Sequence, residues 1–343
     1  MQVDSAINPD AGLDIRPAAA AAEAAGHDGL WLSEVKHDPF IGVTLAATVT
    51  ERAALGTAIA LAFARNPMST AAAANDLQAL SGGRLVLGLG TQIRAHITRR
   101  FSMPWSQPAA RMREYVLALR AIWDTWHTGA PLDFRGEFYS HTLMSPMFVP
   151  EPHGSGPPRV VLAGVGERMT EVAGEVADGF LPHGFTTERY LREVTMPALQ
   201  RGRARRGAGL DGFAVCGGPM VVTGATAEEM AAVDQQVRAQ IAFYGSTPAY
   251  RPVLELHGWG VLGDELHELS RAGRWAEMTG LVTDEVLAAF AVVGEPDDVG
   301  PEIVRRYGDL FTRVTLYAPS LAHPQIAAAL HAAPVPVPTV GVG

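Results

Sequence analysis

The sequence predicts an α/β chain folded as a (β/α)8 TIM barrel, with insertions after strand four and after strand seven. Three observations carry that expectation. Short, continuous apolar runs alternate with helix-forming stretches along most of the chain, a rhythm that suits parallel strands buried on both faces. Eight such strand-helix units occur with no break in composition between them. The 343 residues, 48% apolar and 18% charged, supply a large core. Residues 1–330 are therefore read as one domain and 331–343, which include PVPVPTVGVG, as a flexible tail. The other architecture open to such a rhythm, an open doubly wound sheet, calls for a dinucleotide fingerprint.

VDSAI is the first strand, and a helix over 17–25 is opened by Pro17 and closed by Gly26. GLWLS is strand two, followed by a helix over 40–50. ALGTAIALA is strand three, and a helix over 68–80 stops at Ser81, Gly82 and Gly83. RLVLGLG is strand four; its helix spans 111–126, and 134–152 reads as an inserted hairpin. RVVLAG and a helix over 168–176 follow, then DGFLPH and a helix over 187–201. FAVCGGPMVVT is taken as strand seven, with a helix over 227–244 and helical pieces over 264–307. RVTLYA closes as strand eight.

Composition excludes several functions. Lysine plus arginine number 27 against 36 acids, a net charge of -9 with no basic face, so no nucleic-acid partner is expected. The single cysteine, Cys216, excludes an intrachain disulfide and a cysteine-rich metal site. The scattered histidines lack H-x-x-x-H spacing, so no metal is expected. The N-terminal residues lack a basic-then-apolar pattern and the alanine run is too short to span a bilayer; a cytoplasmic protein away from membranes is expected.

Two glycine turns follow strands, Gly88 and Gly90 in LGLGTQIRA and Gly164 and Gly166 in LAGVGERM. A dinucleotide turn needs a small residue three positions after the second glycine, where Ile93 and Met169 stand instead. What survives is backbone amides approaching an anion at a helix N-terminus, or a tight turn without a ligand. Polar residues collect at strand ends, where such barrels place their sites: Glu34, His37 and Asp38 after strand two, Arg65 and Asn66 after strand three, Gln92, Arg94 and His96 after strand four, His183 after strand six. With no G-x-S-x-G elbow and no metal motif, an organic cofactor is the natural source of chemistry.

AEAAGHDGLWLSEVKHDPF, ALGTAIALAFARNPMSTAAAANDLQALSGGRLVLGLGTQ and AGVGERMTEVAGEVADGF, in this order and spacing, resemble the bacterial luciferase-like superfamily, in particular its deazaflavin-dependent oxidoreductases. The resemblance covers roughly residues 1–320. It implies coenzyme F420, or alternatively FMN, lying across the C-terminal rim. It implies a non-prolyl cis peptide between Ala58 and Ile59 behind the cofactor ring. Cofactor contacts are implied at Gly90, Thr91 and His96 and at Ala163, Gly164, Val165 and Gly166, the last four cradling the phosphate-bearing tail. Glu34 matches the acid beside the reactive ring edge.

Departures limit what the resemblance carries. Sugar-phosphate-oxidising relatives have a histidine directly after the strand-two acid, where this chain has Val35, and a second acid where it has Gln92 and Ile93. Their substrate is not carried over. Glu34 and His37 are the expected catalytic residues, His37 as proton donor, and Arg65, Gln92, Arg94 and His183 the expected substrate pocket. Phe134, Phe138, Tyr139, Tyr244, Tyr250 and Trp259, in the hairpin and in the segment around 245–280, are expected to wall that pocket around a bulky apolar molecule. The acidic F420 tail would call on Arg94, Arg99 and Arg100, or on Arg201, Arg203, Arg205 and Arg206. The expected reaction is hydride transfer between F420 and a small organic substrate. The alternatives are an FMN-dependent monooxygenase served by a reductase, and a non-catalytic flavin-binding barrel. A homodimer, with an F420 or flavin reductase as partner, is expected.

Overall fold

The structure is a computed structural model, and it describes residues 1–7 and 12–334. Eight parallel strands close into a barrel. In chain order they are Gln2–Ala6, Gly29–Leu32, a third strand in two pieces (Ala54–Thr57 and Ala60–Leu61), Leu85–Gly90, Arg159–Gly164, Gly179–Pro182, Ala214–Gly217 and Arg313–Leu316. Each pairs with its neighbours in sequence order. Pairing of the first strand with the eighth completes the ring, Gln2 opposite Arg313 and Asp4 opposite Thr315. The strands are called one to eight below.

The expected local signals set the helices. Asp38 caps Pro39–Ala47 by accepting the Phe40 amide at 2.9 Å, and Asn66 caps Pro67–Leu80 by accepting the Ser69 amide at 3.0 Å. The second of these ends in Gly82 and Gly83 at φ +63° and +91°, a left-handed exit that favours glycine. Helices Glu167–Val176 and Met196–Arg205 touch through Gly174 and Gly202. A Cβ on Gly202 would lie 2.1 Å from the Glu171 carbonyl oxygen.

Strand three is interrupted at Ala58 and Ile59, whose peptide bond is cis. Beside the interruption, the Thr57 hydroxyl donates to the Gly88 carbonyl at 2.7 Å and accepts the Gly88 amide at 2.9 Å. A side chain at Gly88 would sit 1.8 Å from the Thr57 carbonyl oxygen, so strands three and four approach closer than any Cβ allows.

Deep in the barrel the fully buried Asp4 carboxylate is bound by Arg313 at 2.5 and 2.8 Å and by the Trp31 indole at 2.8 Å. Coulombic attraction and hydrogen bonds from Asp4 hold the Arg313 guanidinium charged against the opposing effect of burial. The Trp31 ring covers Gly56, where a Cβ would lie 2.3 Å from it. Above this plug the lumen is lined by Trp31, Val161, Leu181 and Cys216, with Ala58, Ile59 and Ala163 half-buried against them. Burial pushes the Cys216 thiol up to about 12, so it is an inert packing group.

The structure differs from the sequence expectation at strand seven. The run 213–223 is not one strand: after Gly217 it leaves the barrel at Gly218 and Pro219. Met220–Val222 then pairs with Ala291–Val293 in a separate two-stranded parallel sheet. That second strand lies inside the stretch expected to be helical. Between the two strands run Ala227–Gly245, Arg251–Leu256, Gly260–Arg271 and Asp284–Phe290, packed on a second core that includes Phe185, Ile241, Leu254, Leu266 and Phe290. Helix Pro324–Ala332 runs past residue 330, and 335–343, most of the expected tail, lie outside the described residues. No helix among the described residues is long and apolar enough to cross a membrane.

Candidate active site

Strands two and three bring Glu34 and Arg65 together. Glu34 Oε2 accepts the Leu61 amide at 2.9 Å and Arg65 Nη1 at 2.6 Å, and Arg65 Nη2 reaches Asp38 Oδ2 at 2.6 Å. The guanidinium also lies 5.3 Å from the centroid of the Phe40 ring. Burial opposes its charge, but the two carboxylates outweigh burial and raise its pKa. Glu34 Oε1 accepts no hydrogen bond among the described residues. His37 lies elsewhere: it is exposed and lines a cleft of about 400 Å³ with Ile7, Leu13, Ile15, Leu32 and Ser33.

At the end of strand four, Gly90 packs under Ile59. A Cβ on Gly90 would lie 2.0 Å from Ile59 Cδ1, so the glycine admits that side chain into the lumen. The Thr91 hydroxyl donates to the Gln92 carbonyl at 3.0 Å, and Gln92 turns through φ +58° with its side-chain oxygen accepting the Ile93 amide at 2.9 Å. Gln92 is therefore folded onto its own loop. Arg94 and His96 are exposed, and a turn of π-helix over His96–Arg100 carries Arg99 and Arg100 outward.

At the end of strand five, Gly166 opens helix Glu167–Val176 in extended backbone, with no side-chain cap. A Cβ on Gly166 would meet nothing within 4 Å, whereas one on Gly164 would lie 2.9 Å from Met169 Cγ. The open helix N-terminus and the adjoining glycines form a concave surface suited to a phosphate. Val165 is half-buried against the second core, and its carbonyl accepts the Tyr190 hydroxyl at 3.4 Å. The residues present fit the phosphate-bearing tail of a flavin-type group.

The arginines from 201 to 206 do not serve that tail. Arg201 pairs with Glu167 and Glu171, Arg205 with Glu171, Arg203 with the Gly209 carbonyl, and Arg206 with that of Ala177. They knit the outer helices together. The hairpin, Phe134–Arg135 against Ser140–His141, is also displaced from its expected place on the pocket wall. Its tip amides at Glu137, Phe138 and Tyr139 are gripped by Glu114 of helix Pro108–Thr128 at 2.8, 2.7 and 2.5 Å. Tyr139 packs edge-on against the fully buried Tyr115. The hairpin braces a helix.

The segment after strand seven does reach the strand ends. His183, at the end of strand six, has ring centroids 4.7 Å from Tyr244 and 4.6 Å from Tyr250. Its Nδ1 accepts the Phe185 amide at 3.0 Å, and its Nε2 lies 3.4 Å from the Tyr250 hydroxyl. Burial depresses its pKa to about 4. The neutral ring, with Nδ1 accepting, carries its proton on Nε2. Tyr317, after strand eight, lies against Gly218, where a Cβ would be 2.6 Å from its ring. The sequence named Tyr244, Tyr250 and His183 singly; it held no signal joining them, nor one for Tyr317 beyond its place at a strand end.

Three relatives bear on this site. An uncharacterized protein of Mycobacterium tuberculosis is 57% identical over 297 residues, covering 87% of each chain. The 5,10-methylenetetrahydromethanopterin reductase of Archaeoglobus fulgidus is 28% identical over 288 residues, covering 81% of each. The structure of the coenzyme F420 dependent tetrahydromethanopterin reductase from Methanopyrus kandleri superposes with a TM-score of 0.74 at 20% identity, covering 95% of this chain and 96% of that one. The family model described as luciferase-like monooxygenase matches residues 6–313. By that match, and by a closed barrel with its glycine turns at the strand ends, the chain belongs to the luciferase-like monooxygenase family.

Proposed function

We propose that the protein is an oxidoreductase that transfers a hydride between coenzyme F420 and an organic, bulky apolar substrate at the C-terminal rim of the barrel. The observation that carries this reading is the strand-five turn, where Gly164 and Gly166 lead into a helix N-terminus with open space and no cap. The 28% identity to a methylenetetrahydromethanopterin reductase supports F420 over FMN. The bound deazaflavin would supply the hydride chemistry.

The chain's own residues do the rest. Backbone amides at Gly164, Val165 and Gly166 would hold the cofactor's phosphate. Ala58, Ile59, Ala163, Gly90 and Thr91 would shape the lumen rim around it, with His96 at the outer edge. Exposed Arg94 and Arg99, which have no ion pair among the described residues, would meet acidic groups of the tail. Glu34 is held by Arg65 and the Leu61 amide, leaving Oε1 to take or return a proton. His37 would exchange protons from the adjoining cleft. His183 and Gln92 border the substrate. A homodimer in the cytoplasm, served by an F420 or flavin reductase, completes the proposal.

Fluorescence titration of the purified protein with F420 and with FMN tests it. Saturable F420 binding with weak FMN binding supports the reading. Tight FMN binding with no F420 response favours the family's monooxygenase chemistry, with reduced flavin supplied by a partner. Binding of either without turnover of any substrate favours a non-catalytic flavin-binding barrel. Glu34→Gln and His37→Ala should each lower turnover with little change in cofactor affinity, and unchanged rates would remove them from the mechanism.

A further inference from the structure

Rings link the end of strand six to the surface. From His183 the contacts pass to Tyr244 at 4.7 Å, on to Phe243 at 5.5 Å and then to Trp275 at 6.1 Å between centroids. Exposure rises along this series: His183 is partly buried, while Phe243 and Trp275 are 54% and 52% exposed. Beside the inner end, His183 and Thr186 line a cavity of about 250 Å³ with Gly218 and Phe290. The Thr186 hydroxyl is buried and has no hydrogen-bond partner among the described residues. An unbonded buried hydroxyl is costly unless something else bonds to it. On His183, Nδ1 is occupied by the Phe185 amide, and the Nε2 contact to Tyr250 is long at 3.4 Å.

We propose that this corner is a ligand subsite in which His183 Nε2–H donates to the oxygen of a planar, uncharged aromatic carbonyl compound lying against Tyr244 and Tyr250. Ring faces select a flat apolar body, and the paired donors His183 and Thr186 select an oxygen on it. A neutral donor suits an uncharged acceptor, because no ion has to be desolvated. This rests on the reading above that the strand ends hold substrate, and it names that substrate's class. The carbonyl is polarised by a fixed donor while Glu34 remains on the opposite side of strand order, bound to Arg65.

Two probes of nearly one shape separate the oxygen from the body: 2-acetylnaphthalene and 2-ethylnaphthalene. In calorimetric titrations of the intact protein, the ketone should bind about fivefold more tightly, the worth of one neutral hydrogen bond. In ¹⁵N-histidine NMR it should shift the His183 Nε2–H signal, and the hydrocarbon should not. His183→Phe keeps a ring between the tyrosines and should abolish the preference while leaving hydrocarbon binding. Equal binding of both probes by the wild-type protein, failure of both to bind, or a preference that survives His183→Phe would overturn the proposal. F420 titration of the same samples keeps the two readings apart. Loss of F420 binding with the ketone preference intact would remove the cofactor and keep the subsite.

Discussion

Glu34 and Arg65, the ends of neighbouring strands, form an ion pair of 2.6 Å in which the carboxylate side chain is 8% exposed and the guanidinium 18%. Arg65 also reaches Asp38, the cap of the following helix, so one cation ties two strand ends and a helix start together. The acid expected to act freely is thereby held in one position.

Removing the cation should show how strongly. Arg65→Leu leaves a mostly buried carboxylate with only the Leu61 amide, and should cost about 2–3 kcal/mol of stability, less than a fully buried pair because solvent still reaches Asp38. Glu34→Gln should cost less, about 1 kcal/mol, since the amide oxygen still accepts from Leu61. Urea denaturation of the two single variants and the double variant measures both. A double variant as unstable as the sum of the singles would show that the two side chains are not coupled.

Gly166 offers a test in which stability and binding move oppositely. Gly166→Asp supplies the missing cap to helix Glu167–Val176 in open space, and should stabilise the protein by about 0.5–1 kcal/mol. The same carboxylate sits where the cofactor phosphate is proposed, and should weaken F420 binding tenfold or more. Melting curves and fluorescence titration of one sample read both effects; a stabilised variant with unchanged F420 affinity would move the phosphate elsewhere.

The pH dependence of stability should carry the mark of His183. Its folded pKa of about 4 lies below its ordinary 6.5, so the unfolded chain takes up the proton first as pH falls. The protein should lose stability from about pH 6.5 downward, by about 3 kcal/mol once pH is below 4, and this loss should be absent above 6.5. Urea melts of wild type and His183→Phe between pH 7 and 4 measure it. The variant should show a shallower slope, and identical slopes would assign the acid loss to other groups.

At the barrel plug, Asp4→Leu strands the Arg313 guanidinium beside Trp31 and should cost about 3–5 kcal/mol, while Asp4→Leu with Arg313→Met should recover much of that. Thermal denaturation of both decides. A double variant no better than the single would mean that the pair is needed for its shape as well as its charge.

The strands were legible because each is an uninterrupted apolar run, and the helices because Asp38, Asn66, Gly82 and Gly83 are local punctuation. Strand seven misled for the same reason. Apolar texture continues through Gly218 and Pro219, though a proline inside a supposed barrel strand was a signal against it. Ala291–Val293 is too short to outweigh the helical stretches around it. At the site, position along a strand end was readable and partnership was not. Arg65 and Asp38 claim each other across 27 residues, and Arg201 turns to Glu167 across 34, through contacts that exist only once the barrel has closed.

The Asp4 and Arg313 pair also sets an order of events. Its members stand 309 positions apart, so the buried acid waits for nearly the whole chain before its countercharge arrives. Until then the first strand carries a carboxylate that a dry interior will not accept, and early collapse around it is penalised. A nascent chain should stay open to chaperones until its last strand leaves the ribosome, and the lock that then closes joins its two extremities.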